Sequence, residues 1–234
     1  MTGPGSMGPG SMGPGSMSGV LQALTALPRR GRGRAVMVMA ARSGEGASTV
    51  ARAVAEEASN GVTLLLDLEL TRSVHHQHFR TSGPLLWDPI DARLKGRALY
   101  RIIDGAGRLR PEPDSALGFY RVGRTRLFVS GFNNAAVREG DRLQFATGSA
   151  YWDAVRQSCE LAVIDAPALD RGRVGLSICA HMDGVVVVAS GADGSVTATL
   201  GLKAALEAAG AFVMGVVYTR ADRVALTLDR PLLG

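Results

Sequence analysis

The sequence predicts an α/β fold in three layers, with a mostly parallel β-sheet covered by helices on both faces. Continuous apolar runs of strand length recur along the chain, at residues 35–41, 62–67, 161–165, 184–189 and 212–218. Such runs are typical of parallel strands that are buried on both faces, and parallel strands need helical crossovers. Helical patterns at 48–59 and 196–209 supply two of these crossovers.

The first strand leads directly into the loop ARSGEGAST, which occupies residues 41–49. The helix that follows begins near Ser48 and Thr49, because hydroxyl residues favour helix N-termini, and it ends at the stop signal Asn60-Gly61. The second buried strand ends in Asp67 and the third ends in Asp165. Both aspartates are therefore expected at the same edge of the sheet.

The middle of the chain, residues 71–150, has a less regular pattern. We expect a helix at Leu99–Ile103 and a strand at Arg126–Ser130 within it. Three histidines also occur there within four residues. Metal ligands usually converge from separate elements, so we favour a polar loop over a metal site for His75, His76 and His78.

The N-terminal 34 residues differ in composition from the rest of the chain. Residues 3–17 are three copies of Gly-Pro-Gly-Ser-Met, which predicts a disordered tail over residues 1–19. A short helix at Val20–Leu27 and a basic linker at Pro28–Arg34 make up residues 20–34, and a single domain is expected at 35–234. The linker carries positive charge only, which fits a solvated segment as well as a contact with phospholipid or an acidic partner.

Composition argues against several classes of protein. The net charge is +5, but no interleaving of aromatic and basic residues accompanies it, so nucleic acid is not the expected partner. The sequence shows no signal-peptide pattern and no apolar run near the ~18–20 residues that span a bilayer. Cys159 and Cys179 lie in apolar surroundings, which favours reduced core thiols and a cytoplasmic protein. Trp87 and Trp152 are expected to pack in the core.

The loop at residues 41–49 has the outline of a phosphate-binding loop. In such loops, successive backbone N–H groups surround a phosphate at a helix N-terminus, where the helix dipole also favours negative charge. Gly44 and Gly46 would let the loop close around the anion, and the Ser48 hydroxyl would bind Mg²⁺. The usual pattern has Gly where this chain has Ala41 and Lys where it has Ala47.

The two strand-end aspartates strengthen this interpretation. Ligands of open parallel sheets bind at the carboxyl ends of the strands. Asp67 and Asp165 would therefore lie beside the loop, where they could hold Mg²⁺ and an attacking water.

Taken together, these segments resemble the bacterial tyrosine kinases and chain-length-determinant ATPases of exopolysaccharide export, which are relatives of the MinD/ParA P-loop ATPases. The family typically reads Ala-Arg-Pro-Gly-Glu-Gly-Lys-Ser-Thr at the loop, Leu-Leu-Ile-Asp-Ala-Asp-Leu after the second strand and Val-Ile-Ile-Asp-Thr-Pro-Pro after the third. The corresponding segments here are 41–49, 64–70 and 162–168, followed by an Asp-Gly-Val-Val-Val-Val strand at 183–188 and Gly-Val-Val at 215–217.

The resemblance implies a P-loop site for ATP or ADP with Mg²⁺. It places the nucleotide on the loop residues Arg42, Gly44, Glu45, Gly46, Ala47, Ser48 and Thr49. It makes Ser48, Asp67 and Asp165 the expected Mg²⁺ ligands, with Asp67 and Asp165 as the catalytic groups if the site is active.

The departures from the family pattern point to a weakened site. Ala47 lacks the ammonium that contacts the β- and γ-phosphates, a loss of several kcal/mol of transition-state stabilisation by analogy with other preorganised charges. Glu69 replaces the family's second Asp, and Thr71 stands where Arg is usual. No tyrosine follows Tyr218, so the C-terminal tyrosine cluster of the kinases is missing.

We therefore expect a regulatory partner for the cytoplasmic end of an inner-membrane polysaccharide co-polymerase, peripheral at that membrane, with weak or absent nucleotide binding and hydrolysis. A homo-oligomer is compatible with this role. Two alternatives stay open. One is an active ATPase or tyrosine kinase in which Arg42 or a partner's residue compensates for Ala47; the other is a MinD/ParA-like positioning protein.

Overall fold

The computed structural model describes residues 17–28, 31–84, 86–111, 116–191, 194–219 and 226–228. The predicted Gly-Pro-Gly-Ser-Met tail lies outside these residues up to Ser16, as does most of the chain after Thr219. The predicted N-terminal helix begins at Met17, three residues before the expected start.

The described residues form the following helices and strands. The helices are α1 Met17–Ala26, α2 Ala47–Glu57, α3 Val74–Thr81, α4 Ser149–Ser158, α5 Val174–Ile178 and α6 Val196–Ala208. The strands are β1 Arg34–Ala40, β2 Thr63–Asp67, β3 Ile90–Asp91, β4 Tyr100–Ile103, β5 Leu109–Arg110, β6 Leu117–Arg121, β7 Leu127–Phe132, β8 Arg142–Phe145, β9 Leu161–Asp165, β10 Gly184–Ser190, β11 Val213–Thr219 and β12 Leu226–Leu228. Short 3₁₀ helices occur at Asn134–Ala136 and Cys179–His181.

A single large sheet organises the fold, with the strand order β12-β11-β10-β1-β9-β2-β7-β6-β3. Its six central strands, β11 to β7 in this order, run parallel to one another, whereas β12, β6 and β3 pair antiparallel at the two edges. The sheet confirms the predicted mostly parallel α/β architecture. It also confirms the five apolar strands and, with slightly different ends, the strand predicted at Arg126–Ser130.

Helices cover both faces of this sheet. Successive side chains of a strand point to opposite faces, so each buried strand contributes residues to two cores. In β1, Ala35, Met37 and Met39 pack in the core shared with α4, α5 and α6. The alternate residues Val36, Val38 and Ala40 pack in the core shared with α1, α2 and α3. These two cores are the reason for the uninterrupted apolar runs in the sequence.

Two predictions for the middle of the chain are wrong. Residues 100–103 form the strand β4, not a helix, because Tyr100 and Ile102 are buried while Arg101 between them is exposed. This alternation fits a strand with one face on the core, and β4 lies between β5 and β8 in a second, antiparallel sheet. The histidine segment belongs to helix α3, not to a polar loop.

The end of the predicted basic linker is also part of the folded domain. Arg34 begins β1, and its guanidinium donates hydrogen bonds to the backbone oxygens of Leu27 (2.8 Å) and Thr25 (2.6 Å) near the end of α1. Arg34 is therefore bound to the domain, whereas Arg32 is exposed. Arg29 and Arg30 lie outside the described residues.

The remaining predictions about the core have mixed outcomes. Cys159 and Cys179 are buried free thiols, as predicted. Trp152 is fully buried, but Trp87 is 52% exposed and donates its indole N–H to the backbone oxygen of Gly123, so its prediction as a core residue is wrong. No helix within the described residues is both long enough and apolar enough to cross a membrane.

Candidate phosphate-binding site

The loop between β1 and α2 borders a cavity of about 330 Å³ at the carboxyl ends of the parallel strands. All the residues predicted from the sequence for this site line that cavity: Arg42, Gly44, Glu45, Gly46, Ala47, Ser48, Thr49, Asp67 and Asp165. The tertiary structure thus brings residues from three separate segments of the chain to one place.

The loop backbone is shaped by two glycines. Gly44 and Gly46 have φ angles of 86° and 96°, values that side chains other than glycine rarely adopt. A Cβ atom at Gly46 would also lie 3.1 Å from side-chain atoms of Thr219, whose hydroxyl donates a hydrogen bond to the backbone oxygen of Glu45. The conformation therefore favours glycine at position 46, and the space beside Thr219 is tight for any larger residue.

The N-terminus of α2 opens into this loop. Gly46 precedes the helix and has no side chain to cap it, so the first-turn N–H groups of α2 have no side-chain acceptor from that position. Uncapped N–H groups and the helix dipole together favour an anion at this point. These features fit a phosphate group.

The carboxylate of Glu45 lies among the backbone groups of this loop. Glu45 is 4% exposed; its Oε2 accepts a hydrogen bond from the backbone N–H of Arg42 at 2.9 Å, and its Oε1 has no partner. A buried carboxylate here opposes the binding of an anion. The methyl group of Ala47 adds no positive charge to offset it.

Asp67 and Asp165 occupy neighbouring positions of β2 and β9, where they are directly paired in the sheet register. Asp67 is held at the start of the following turn, since Oδ1 accepts the N–H of Glu69 at 3.0 Å and Oδ2 accepts the N–H of Val74 at 2.7 Å. Burial, and secondarily the charge of Asp165, raise the pKa of Asp67 to about 6, although nearby His75 and the two N–H groups oppose the rise.

His75 is a site residue that the sequence interpretation missed. It is fully buried on α3, and its Nε2 lies 2.9 Å from Oδ2 of Asp165. Its Nδ1 has no hydrogen-bond partner. One sequence pattern could have predicted that His75 is buried. His75 and Phe79 are four residues apart, and both are buried on the same face of α3.

The loop after β9 forms a second missed part of the site. Asp170 accepts hydrogen bonds from the backbone N–H of Ser43 at 3.0 Å and from its hydroxyl at 2.9 Å. The next residue, Arg171, contacts the carboxylate of Glu69 across the cavity, and Arg72 approaches the same carboxylate at 3.6 Å. Arginine and aspartate in an irregular loop give no periodic signal in the sequence.

The glycine conformations of the loop and the uncapped N-terminus of α2 fit a phosphate group, although Glu45 opposes it, and the side chains of the site fit a divalent cation in part. Ser48 and Asp165 would hold Mg²⁺ beside a bound phosphate, and Asp165 has one carboxylate oxygen that is not bonded to His75. Mg²⁺ usually takes one or two carboxylates together with phosphate oxygens and water. Among the described residues there is no group of three or more His, Cys, Asp or Glu side chains that could hold a metal ion without such help.

Comparison with known proteins gives matches by structure only, since no family model and no curated protein sequence matches the chain. One similar structure is the chimerical protein CapA2B2, with a TM-score of 0.55, 17% identity, and coverage of 88% of this chain and 83% of the other. Another is MinD from Pyrococcus horikoshii complexed with Mg-ADP, with a TM-score of 0.52, 17% identity, and coverage of 86% and 79%. Apo McdA from Cyanothece has a TM-score of 0.52, 14% identity, and coverage of 79% and 71%.

The chain has the fold of the MinD/ParA-like P-loop proteins. The likeness extends over most of the length of both chains in each comparison. At these levels of identity it concerns the fold alone. The roles of individual site residues rest on the geometry described above.

Proposed function

We propose that this MinD/ParA-like chain is a degenerate, tyrosine-kinase-like P-loop protein that supports exopolysaccharide biosynthesis or export. It binds a nucleoside di- or triphosphate weakly, hydrolyses it poorly or not at all, and acts as the regulatory partner of an inner-membrane polysaccharide co-polymerase. The observation that carries the proposal is a loop with two positive-φ glycines before an uncapped helix N-terminus, with Ala47 in place of the cation.

The retained geometry supports binding of a phosphate group. The two positive-φ glycines, the uncapped N-terminus of α2 and the strand-end aspartates Asp67 and Asp165 all border one cavity. The similar MinD structure is a complex with Mg-ADP. Backbone N–H groups bind phosphate without help from side chains, so the loss of one lysine weakens such a site without removing it.

The exopolysaccharide role is supported by the sequence motifs. The order and spacing of the loop, the second-strand motif at 64–70 and the third-strand motif at 162–168 match the family of exopolysaccharide-export kinases. A partner role does not require phosphoryl transfer.

Replacing Ala47 with lysine is expected to tighten binding of MgADP and MgATP by about 10-fold or more, because a hydrogen bond to a charged group contributes about 1.5–3 kcal/mol. Calorimetric titration of both proteins measures this change. Ala53→Lys is the matched control, since it adds the same charge to α2 at a residue that does not line the cavity. It should leave the affinity unchanged.

Two results would contradict the proposal. If neither the natural chain nor Ala47→Lys binds nucleotide, the loop is not a nucleotide site. If the natural chain already binds MgATP as tightly as the lysine variant and turns it over, the site is compensated and the chain is an active enzyme.

The partner role makes a separate prediction about the basic linker. Changing Arg29, Arg30 and Arg32 to glutamate is expected to abolish polysaccharide export in cells that depend on this protein, because an acidic partner surface would repel the altered segment. The control reverses the exposed Arg97, Arg101 and Arg124 of the domain, with the same total change of charge. Normal export after reversal of the linker, with normal protein levels, would exclude the linker as the contact.

A further inference from the structure

The cavity contains positive charge that Ala47 does not supply. Three arginines line it, Arg42, Arg72 and Arg171, and they belong to three different loops. Arg42 is the loop residue, whereas Arg72 and Arg171 converge from the segments after β2 and β9. The guanidinium groups of Arg72 and Arg171 both lie close to the carboxylate of Glu69, which also lines the cavity.

The backbone holds Arg171 beside the phosphate loop. The N–H groups of Leu169 and Asp170 donate to the backbone oxygens of Ala40 and Ala41 at 3.0 and 3.3 Å. The carboxylate of Asp170 binds Ser43 of the loop through two further hydrogen bonds. The residue directly before Arg171 is thus attached to the phosphate loop at both its backbone and its side chain.

The carboxylate of Glu69 also holds the guanidinium of Arg171 in place. Its own backbone is attached to the site, since its N–H donates to Oδ1 of Asp67 at 3.0 Å. The Glu69 carboxylate faces two guanidinium groups, so this group of three side chains carries a net positive charge. A carboxylate already bonded to Arg171 and close to Arg72 is a poor ligand for Mg²⁺.

From this arrangement we infer that Arg171 supplies to a bound phosphate the positive charge that Ala47 lacks, and that Glu69 positions Arg171 instead of binding metal. A guanidinium has five N–H donors in a planar fork, so it can keep its bond to a carboxylate and direct other donors to a phosphate oxygen. The inference rests on the proposed nucleotide binding and names the residue that makes it possible without lysine.

A double-mutant cycle tests this inference by calorimetric titration of the full chain with MgADP. Arg171→Ala is expected to weaken binding by about 10-fold or more in the natural background, the size of a lost charge-assisted hydrogen bond. In the Ala47→Lys background, Arg171→Ala should weaken MgADP binding by less than about 3-fold, because the ammonium of the new lysine replaces the guanidinium of Arg171. Arg173→Ala is the matched control, as Arg173 is exposed on the same loop and does not line the cavity.

Each outcome of the cycle decides the matter. Equal losses in the two backgrounds, no loss from Arg171→Ala, or binding only after Ala47→Lys would each overturn the role of Arg171 while leaving the loop as a nucleotide site. No binding by any variant would overturn the proposed nucleotide binding itself. Thermal unfolding of Arg171→Ala, which changes an exposed side chain, verifies that the variant is folded.

A second measurement concerns Glu69. In Glu69→Gln, the ratio of ADP affinities with and without Mg²⁺ is expected to equal that of the natural chain. A loss of the Mg²⁺ effect in this variant would identify Glu69 as a metal ligand and overturn its positioning role.

Discussion

Replacing Asp183 with alanine is expected to lower the free energy of unfolding by about 3–5 kcal/mol, the usual cost of leaving one member of a buried ion pair alone. Asp183 and Arg156 are both buried, and Nε of Arg156 donates to Oδ2 of Asp183 at 2.9 Å. The same oxygen accepts the backbone N–H of Ala35 at 2.7 Å. The change therefore leaves a buried guanidinium without its main counter-charge and removes an acceptor from the start of β1.

The position of this pair explains the large effect. Arg156 lies on α4, and its backbone oxygen accepts the N–H of Gly33 at 2.9 Å, immediately before β1. Its guanidinium also contacts the backbone oxygen of His181, just before β10. Arg156 and Asp183 thus connect α4 with the two central strands β1 and β10 of the sheet.

Chemical denaturation of the purified chain measures this loss, and Asp153→Ala is the matched control. Asp153 also contacts Arg156, at 3.2 Å, but its side chain is 55% exposed. Exposed ion pairs contribute about 0–1 kcal/mol, so the control should change stability little. A loss for Asp183→Ala no larger than that for Asp153→Ala would show that the buried pair does not stabilise the fold.

Replacing Asp67 with asparagine is expected to alter how the stability of the protein depends on pH. The carboxyl ionises near pH 3.8 in the unfolded chain, but its pKa in the folded chain is about 6. Between these two values the folded chain holds one more proton than the unfolded chain, so the free energy of unfolding falls as the pH rises. Above pH 6 both states are ionised and the penalty stays constant.

The size of this effect follows from the shift of about two pKa units, which corresponds to about 3 kcal/mol at 1.36 kcal/mol per unit. The asparagine variant has no such penalty. Its stability relative to the natural chain should therefore rise by roughly 2–3 kcal/mol between pH 4 and pH 7. Asparagine accepts only one of the two N–H groups that Asp67 binds. This loss lowers the stability of the variant by the same amount at pH 4 and at pH 7, so it does not alter the difference between them.

Urea unfolding at a series of pH values gives the comparison directly, with Asp88→Asn as the control because Asp88 is exposed. A difference between Asp67→Asn and the natural chain that does not change from pH 4 to pH 7 would mean that Asp67 titrates as in the unfolded chain. Repeating the series with MgADP shows whether the bound nucleotide changes the penalty for the ionised carboxylate.

The sequence by itself determined the central sheet, the glycine-containing loop before α2 and the two strand-end aspartates. These features are local: a strand buried on both faces needs an uninterrupted apolar run, and a tight loop before a helix needs glycine at fixed positions. Asp67 and Asp165 could be placed together because parallel strands bring their carboxyl ends to one edge.

The short strands and helices of residues 71–150 were harder to predict, since each has few residues from which a period can be recognised. The error at β4 is an example, because its four residues show only one clear alternation.

Only the tertiary structure decided which polar side chains complete the site. His75 and Asp165 are 90 residues apart, Glu69 and Arg171 are 102 apart, and Ser43 and Asp170 are 127 apart. None of these pairs has a fixed spacing along the chain, because each depends on how the segment after one strand packs against a neighbouring strand or the loop that follows it. Arg171 illustrates the physical reason: in the sequence it is one of many arginines, and only the attachment of Asp170 to the loop before α2 brings Arg171 to the cavity that Ala47 also lines.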